Sequence, residues 1–388
     1  MHKKLWLLMV LGIITGGLLH WSPIIKPLPQ PTGPYDIGIT SMYLVDQLRN
    51  ESYSVQDKQR SLVTHIWYPS STQGKERCDY LGSKMPFFQK LFASFFSIPQ
   101  WISSLLWRNV ITHTYSDVPI ASSVSRYPVI LFSHGLGGMP SDSYMTIVEN
   151  IVSYGYIVIG IDHPYFNLIT RYSDGKIISS TELTSQFQHM NVQEQYAFQS
   201  KAIDVYIDDM RFVIDQVALL NNNENSMFYN RFDCNKIGVM GHSAGGTAAI
   251  ECCRRDKRCK VAIDLDGWYD HVIGNEPIEQ PLLLMFGSKS LKVSEPTVDY
   301  LAKKEMSREQ YYARACNRAD HRERLCKSAT CEMVIIPHAS HGDFGDEILL
   351  KWPLRGWRDV EAYTTLSTIN GYILKFLAIY LKESRLNG

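Results

Sequence analysis

Residues 236–246 read KIGVMGHSAGG, and within them Gly241, His242, Ser243, Ala244 and Gly245 fit the pattern G-x-S-x-G. On its own that pattern is a weak signal, and its neighbours decide it. The segment before it, KIGVM, is β-branched and apolar, which predicts a buried strand; the segment after it, AGGTAAIECC, opens as a helix. A serine in so sharp a strand–helix turn needs small residues on both sides. The turn lifts its hydroxyl clear of the sheet and sets it at a helix N-terminus.

Working outward, the same alternation recurs. PVILFS (128–133), YIVIGID (156–162), VAIDL (261–265), LLLMF (282–286) and MVII (333–336) are short continuous apolar runs. They are separated by helical stretches at 141–154, 194–220 and 244–254, and a last amphipathic helix is predicted over 360–382. Strands buried on both faces and alternating with helices predict a mostly parallel central sheet with helices on both sides, an α/β architecture. LVTHIWY (62–68) adds an early antiparallel strand. Chemistry on such a sheet belongs in the loops at the carboxyl ends of its strands.

Three such loops complete a site around Ser243. The loop His134-Gly135-Leu136-Gly137-Gly138 follows PVILFS directly, and its glycines let backbone N–H groups approach a carbonyl oxygen. Leu136 is the expected second oxyanion donor, with Gly135 and Gly137 geometrically able. The first is the N–H of Ala244, the residue after the serine. A base should follow Ser243 in the chain, where His271, His321, His338 and His341 stand. His341, in the loop HASHGDF after the strand 333–336, is favoured; His338 sits at the strand end, where it would orient that loop. The acid slot after LLLMF reads Gly287-Ser288-Lys289-Ser290 and has no carboxylate. The preceding strand ends in Asp266-Gly267-Trp268, which makes Asp266 the acid and the deeper Asp264 the alternative. These residues assemble a serine hydrolase of the α/β-hydrolase fold with the triad Ser243, Asp266 and His341. The reaction needs no metal and no organic cofactor.

Composition sets bounds. Of 388 residues, 45% are hydrophobic, enough for one large core, and 39 basic side chains balance 39 acidic ones. That balance offers no electrostatic footprint for a nucleic-acid partner. Lys3 and Lys4 precede an apolar run from Leu5 to Leu19, and Pro23, Pro27, Pro29 and Pro31 follow it. Residues 1–30 therefore read as a signal peptide or an uncleaved N-terminal anchor with a Pro-rich linker, which puts the bulk of the chain in an extracytoplasmic compartment. Residues 31–388 read as a single domain with insertions around 86–111, 170–191 and 291–328. Eight cysteines suit disulfides in an oxidising compartment, above all among Cys316, Cys326 and Cys331, with free buried thiols as the alternative; no zinc-type spacing is present. Residues 86–111 are dense in Phe, Trp and Leu. They read equally as an interfacial surface making peripheral membrane contact and as a helical pair packed on the sheet.

From about Leu62 to Lys351 the chain resembles the plasma-type platelet-activating-factor acetylhydrolases. The resemblance is carried by YPVILFSHGLGG, IGVMGHSAGG, CKVAIDLDGW and HASHGDF. It implies an acid on the earlier strand, at Asp266, the base at His341 and the second oxyanion donor at Leu136. It also implies calcium-independent cleavage of short or oxidised sn-2 acyl groups from glycerophospholipids, a phospholipid ester substrate met at a lipid interface. Ala244 stands where many animal members carry an aromatic residue, and 170–191 and 291–328 do not match clearly. Two other functions stay open: a general carboxylesterase or dienelactone-hydrolase-like enzyme on soluble short-chain esters, and a catalytically idle lipid-binding protein on the same fold.

Overall fold

The computed structural model describes residues 27–382 apart from 55–56, 75, 96, 108–109, 268–273, 275–277, 328–329 and 351–358. The N-terminal apolar run, His271 and Trp268 therefore lie outside the described residues. In chain order the strands are β1 Asp36–Asn50, β2 Gln59–Ser70, β3 Arg77–Asp79, β4 Ile111–Ser116, β5 Tyr127–Ser133, β6 Ile157–Asp162, β7 Thr170–Arg171, β8 Ile177–Ile178, β9 Phe232–His242, β10 Cys259–Leu265, β11 Leu282–Gly287 and β12 Cys331–Ile336. The helices are α1 Met85–Phe95, α2 Gln100–Trp107, α3 Met145–Ser153, α4 Thr181–His189, α5 Val192–Asn222, α6 Ala244–Arg255, α7 Val298–Lys303, α8 Arg308–Leu325, α9 Glu347–Leu350 and α10 Asp359–Leu377.

Ten strands form one sheet in the order β12-β11-β10-β9-β5-β6-β2-β1-β4-β3. From β12 to β6 every pairing is parallel, and β2 turns the sheet antiparallel against both β6 and β1. The continuous apolar runs are explained by two cores, one per face. Val129, Leu131, Val239, Ala262 and Leu284 pack under α5 and α6, whereas Ile130, Phe132, Met240, Ile263 and Met285 pack under α3 and α10. Successive residues of a strand point to opposite faces, so a strand covered on both sides must be apolar throughout. All seven residues of β5 are buried.

The strand order also fixes where a site can form. From β5 the chain goes to β6 on one side, then returns through the 31-residue α5 to β9 on the other. The carboxyl ends of β5 and β9 therefore flank the point where the winding reverses, which is where open α/β sheets leave a crevice.

The segments read as insertions have structure of their own. Residues 170–191 hold the two-stranded β7–β8 hairpin and α4, and α7 and α8 fill most of 291–328. Residues 86–111 divide between two packed helices and the first residue of β4. Phe88 and Trp107 meet edge-to-face with centroids 4.7 Å apart, and Ser103 Oγ donates to the Gln89 carbonyl, while Trp101 and Leu105 are exposed. Among the described residues no helix is long and apolar enough to cross a membrane. The expected disulfides are absent: all eight cysteines are free thiols. Cys252, Cys253 and Cys259 are buried in the core under α6, where a thiol packs as a small apolar group; Cys316 is exposed on α8, far from needing a partner for burial.

Candidate active site

Register brings the site residues together. Ser133 of β5 is paired with Gly241 of β9, and His242 with Leu265 of β10. One residue beyond those pairs the chain reaches the Gly-rich loop, Ser243 and Asp266 side by side. Ser243 is the single hinge between β9 and α6, with φ 59° and ψ −123°. A non-glycine residue held in this region is strained, and the surroundings must impose it. They do so through tight packing. A Cβ on Gly245 would fall 2.3 Å from the Ser133 carbonyl oxygen, and one on Gly241 would fall 2.3 Å from the Gly245 carbonyl. The Ser243 N–H donates to the Leu265 carbonyl at 2.9 Å, tying the turn to β10.

The three residues chosen as a triad form one hydrogen-bonded line. Ser243 Oγ lies 2.9 Å from His341 Nε2, and His341 Nδ1 lies 2.6 Å from Asp266 Oδ2. Asp266 is buried and His341 is not, its side chain being 40% exposed. Asp266 Oδ1 accepts the Gly287 N–H at 2.9 Å, and the Ser290 hydroxyl reaches the same carboxylate. The slot after β11 that lacks a carboxylate thus supplies donors to the acid one strand away. Burial raises the Asp266 carboxyl, but the His341 hydrogen bond and charge and the Gly287 N–H outweigh it, and the net shift is downward. With Asp266 ionised, His341 carries its proton on Nδ1, and Nε2 accepts from Ser243.

The alternatives are placed elsewhere. Asp264 is fully buried beneath the turn, where a Cβ on Gly246 would fall 1.8 Å from its Oδ1. His338 is exposed with φ 61°, and its N–H donates to Ser288 Oγ, holding the loop before His341. His321 sits on α8 and lines a separate cavity. Ser340 N–H and Oγ both donate to Asp343 Oδ2, at 2.8 and 2.7 Å, closing the turn that carries His341.

Gly135 lies against Ser243, a Cβ there falling 3.1 Å from the serine Cβ. The Gly137 N–H donates to the Phe166 carbonyl at 2.6 Å and the Gly138 N–H to Gly135 at 3.2 Å. Both hydrogen bonds hold the loop in shape, and the Gly137 N–H, being already bonded, is not available as an oxyanion donor. A cavity of about 220 Å³ opens between this loop, Ser243, His341 and Tyr144.

Several supporting residues carry no sequence signal. His242 Nε2 donates to the His341 carbonyl at 2.8 Å and its Nδ1 accepts from Tyr144 Oη at 2.9 Å, which braces the backbone of the base. His134 accepts the His163 N–H on Nε2 at 3.0 Å and donates from Nδ1 to the Gly135 carbonyl at 2.9 Å. Burial and the neighbouring His163 push its value down to about 3, so it is a neutral strut for the loop. His163 in turn hydrogen-bonds Ser133 Oγ (2.6 Å) and Asp209 (2.8 Å), and Arg60 binds Asp209 through two nitrogens at 2.6 and 3.1 Å. On the far side of the loop, buried Lys84 binds Asp162 (2.6 Å) and Asp142 (3.0 Å), while Asp162 also accepts the Ser141 N–H and hydroxyl.

The platelet-activating factor acetylhydrolase, isoform II, family model matches residues 24–315, about three-quarters of the chain. A probable 1-alkyl-2-acetylglycerophosphocholine esterase of Arthroderma benhamiae is 27% identical over 288 residues, covering 71% of this chain and 68% of that protein. The platelet-activating factor acetylhydrolase of Cavia porcellus is 24% identical over 261 residues, covering 62% of this chain and 55% of its own length. This chain thus spans a little over half of that relative. Among solved structures, a ferulic acid esterase from Streptomyces cinnamoneus superposes with a TM-score of 0.67 at 22% identity, over 93% of this chain and 95% of that one. At that identity the superposition speaks for the fold alone. The chain has the α/β-hydrolase fold and belongs to the platelet-activating factor acetylhydrolase, isoform II, family.

Proposed function

We propose that this chain is a serine ester hydrolase that removes short or oxidised sn-2 acyl groups from glycerophospholipids through an acyl-enzyme, without metal or cofactor. The observation that carries this reading is the unbroken line Ser243 Oγ–His341–Asp266, with spacings of 2.9 and 2.6 Å. In the proposed reaction His341 Nε2 takes the Ser243 proton as Oγ attacks the ester carbonyl, and Asp266 stabilises the imidazolium that forms. The N–H groups of Ala244 and Leu136 receive the oxyanion. His341 then gives the proton to the departing alcohol; water, deprotonated by the same imidazole, attacks the acyl-enzyme, the acyl–Oγ bond breaks, and Ser243 Oγ takes the proton back as the acid leaves. The half-exposed His341 ring suits both proton transfers, since leaving alcohol and water must each reach it.

The phospholipid assignment rests on family membership and on the activities for which the two relatives above are named. Exposed Trp101 and Leu105 on α2 support a peripheral lipid contact by residues 86–111, with the buried side of the same pair holding it to the body. On this reading residues 31–388 form one exported hydrolase domain behind the N-terminal segment.

The test is release of the sn-2 group from short-acyl and long-acyl phosphatidylcholines in EDTA, by the wild type and by Ser243→Ala. Hydrolysis by the wild type alone, strongest for short chains, is expected. A wild type that leaves both lipids intact yet cleaves p-nitrophenyl acetate would favour the carboxylesterase, and equal activity from Ser243→Ala would remove Ser243 from the chemistry.

A further inference from the structure

A second cavity, of about 300 Å³, shares His341 with the first and is lined by no residue of the Gly-rich loop. Asp266, Gly267 and His341 form its inner wall, and Lys292, Arg314, Arg318 and Arg322 line the rest with Tyr300 and Tyr311. Among the described residues its lining includes four cationic side chains and one carboxylate, Asp266, which is bound to His341 and the Gly287 N–H.

The arginines come from an unusual helix. α8 is strongly polar, with Leu325 its one fully buried residue, and its half-buried face carries Tyr311, Arg314, Ala315, Arg318 and Arg322. An ordinary surface helix turns an apolar stripe to the body and its charges to solvent. Here three arginines at i, i+4 and i+8 point inward, about 6 Å apart along the axis. Two are held by aromatic faces: Arg322 stands 5.4 Å from the Phe286 ring centroid, and Arg314 stands 5.0 Å from that of Tyr196. A concave site in which one sign of charge predominates concentrates counter-ions, and the guanidinium fork matches phosphate and carboxylate oxygens.

Where the anion sits relative to the ester follows from the proton transfers. The acyl carbonyl must lie against Ser243 and the Gly-rich loop, in the first cavity. The leaving alcohol must lie against His341, which protonates it. The basic cavity borders His341 and Asp266 but not Ser243. Building on the hydrolase reading, we propose that it is the alcohol-side subsite, in which Arg314, Arg318, Arg322 and Lys292 bind a phosphate carried by the leaving alcohol.

The test uses the full chain and two pairs of monomeric esters. The first pair is 1-butyl-2-acetyl-glycerophosphocholine and the neutral 1-butyl-2-acetyl-glycerol that lacks the phosphate. The second is p-nitrophenyl monoglutarate and p-nitrophenyl valerate, which differ by a carboxylate on the acyl side. The readout is the ratio of kcat/KM within each pair for wild type, Arg318→Gln, Arg314→Gln/Arg318→Gln and Arg318→Lys. Losing one charge-assisted hydrogen bond lowers the phosphate ratio about tenfold in Arg318→Gln, mostly through KM, and further in the double variant. Arg318→Lys keeps part of the preference, and the glutarate ratio stays put. Because each readout is a ratio against a neutral ester, a folding defect cancels. A phosphate ratio within twofold of wild type in both Gln variants overturns the subsite while leaving the hydrolase intact. A fall in the glutarate ratio instead overturns the alcohol-side assignment. A wild type that cleaves none of the four esters overturns the hydrolase reading, and the subsite with it.

Discussion

Replacing Asp266 by Asn tests the acid more sharply than its removal, because the side chain keeps its shape and loses only a charge and an acceptor. Asp266 Oδ1 accepts the Gly287 N–H at 2.9 Å and Oδ2 faces His341 Nδ1 at 2.6 Å. An asparagine must give its single oxygen to Gly287, since its NH₂ there would oppose a backbone donor. The amide nitrogen then faces His341 and donates to Nδ1. The imidazole is forced to carry its proton on Nε2, where it cannot accept from Ser243. The structure therefore predicts an intact fold with the wrong tautomer, and a loss of about 10³–10⁴-fold in kcat, about 4–5.5 kcal/mol of barrier. Asp264→Asn, below the turn and away from His341, should cost less than tenfold in kcat and act on thermal stability instead. The assay is steady-state hydrolysis of p-nitrophenyl acetate by both variants, with melting curves for each. A loss under tenfold for Asp266→Asn, or a larger loss for Asp264→Asn, would refute the assignment of the acid.

Other expectations follow from the supporting residues. His242→Phe removes both the bond to the His341 carbonyl and the one from Tyr144, and kcat should fall about tenfold with little change in KM, as for other misaligned groups; Tyr144→Phe, which leaves the first bond, should cost less, and steady-state kinetics on a soluble ester separates the two. Gly245→Ala places a Cβ 2.3 Å from the Ser133 carbonyl oxygen, a backbone atom that cannot yield cheaply, so the melting temperature should drop and activity with it; full activity at unchanged stability would mean that the turn is looser than drawn. Burial works against the Asp209 carboxylate, but Arg60 and His163 hold it well below the usual range. Its folded value lies under the unfolded one near 3.9, so its contribution is fully present above that pH and is lost as pH falls further. The difference in unfolding free energy between wild type and Asp209→Asn should therefore shrink on going from about pH 5 to pH 2, and a pH-independent difference in denaturant titrations would count against it.

The parallel sheet and the residues gathered at the candidate site were legible because each depends on local pattern. A strand covered on both faces shows as an apolar run, and a nucleophile turn shows as glycines around a serine. Asp266 was singled out through a gap, since the slot at Gly287–Ser290 holds no carboxylate, and the structure sets its carboxylate 2.6 Å from His341 Nδ1. What stayed hidden is what distance in sequence conceals. Arg60 and Asp209 are 149 residues apart, and nothing local marks either as buried. The long β1 was missed because one face of it is exposed, with Tyr43, Val45 and Leu48 open to solvent, and its alternation is imperfect. α8 reads as a charged insertion, since a helix that turns arginines toward the body breaks the rule by which amphipathic helices are recognised. The cysteines misled for a related reason: an even count says nothing about burial, and three of the eight are core residues.

The central claim is that Ser243 is the nucleophile, activated by His341. Labelling the full chain with a fluorophosphonate and locating the adduct by mass spectrometry of its peptides tests it directly. One adduct per chain on Ser243, absent from Ser243→Ala and greatly slowed in His341→Gln, is the predicted result. An adduct on another residue, or none while ester hydrolysis proceeds, would contradict the account.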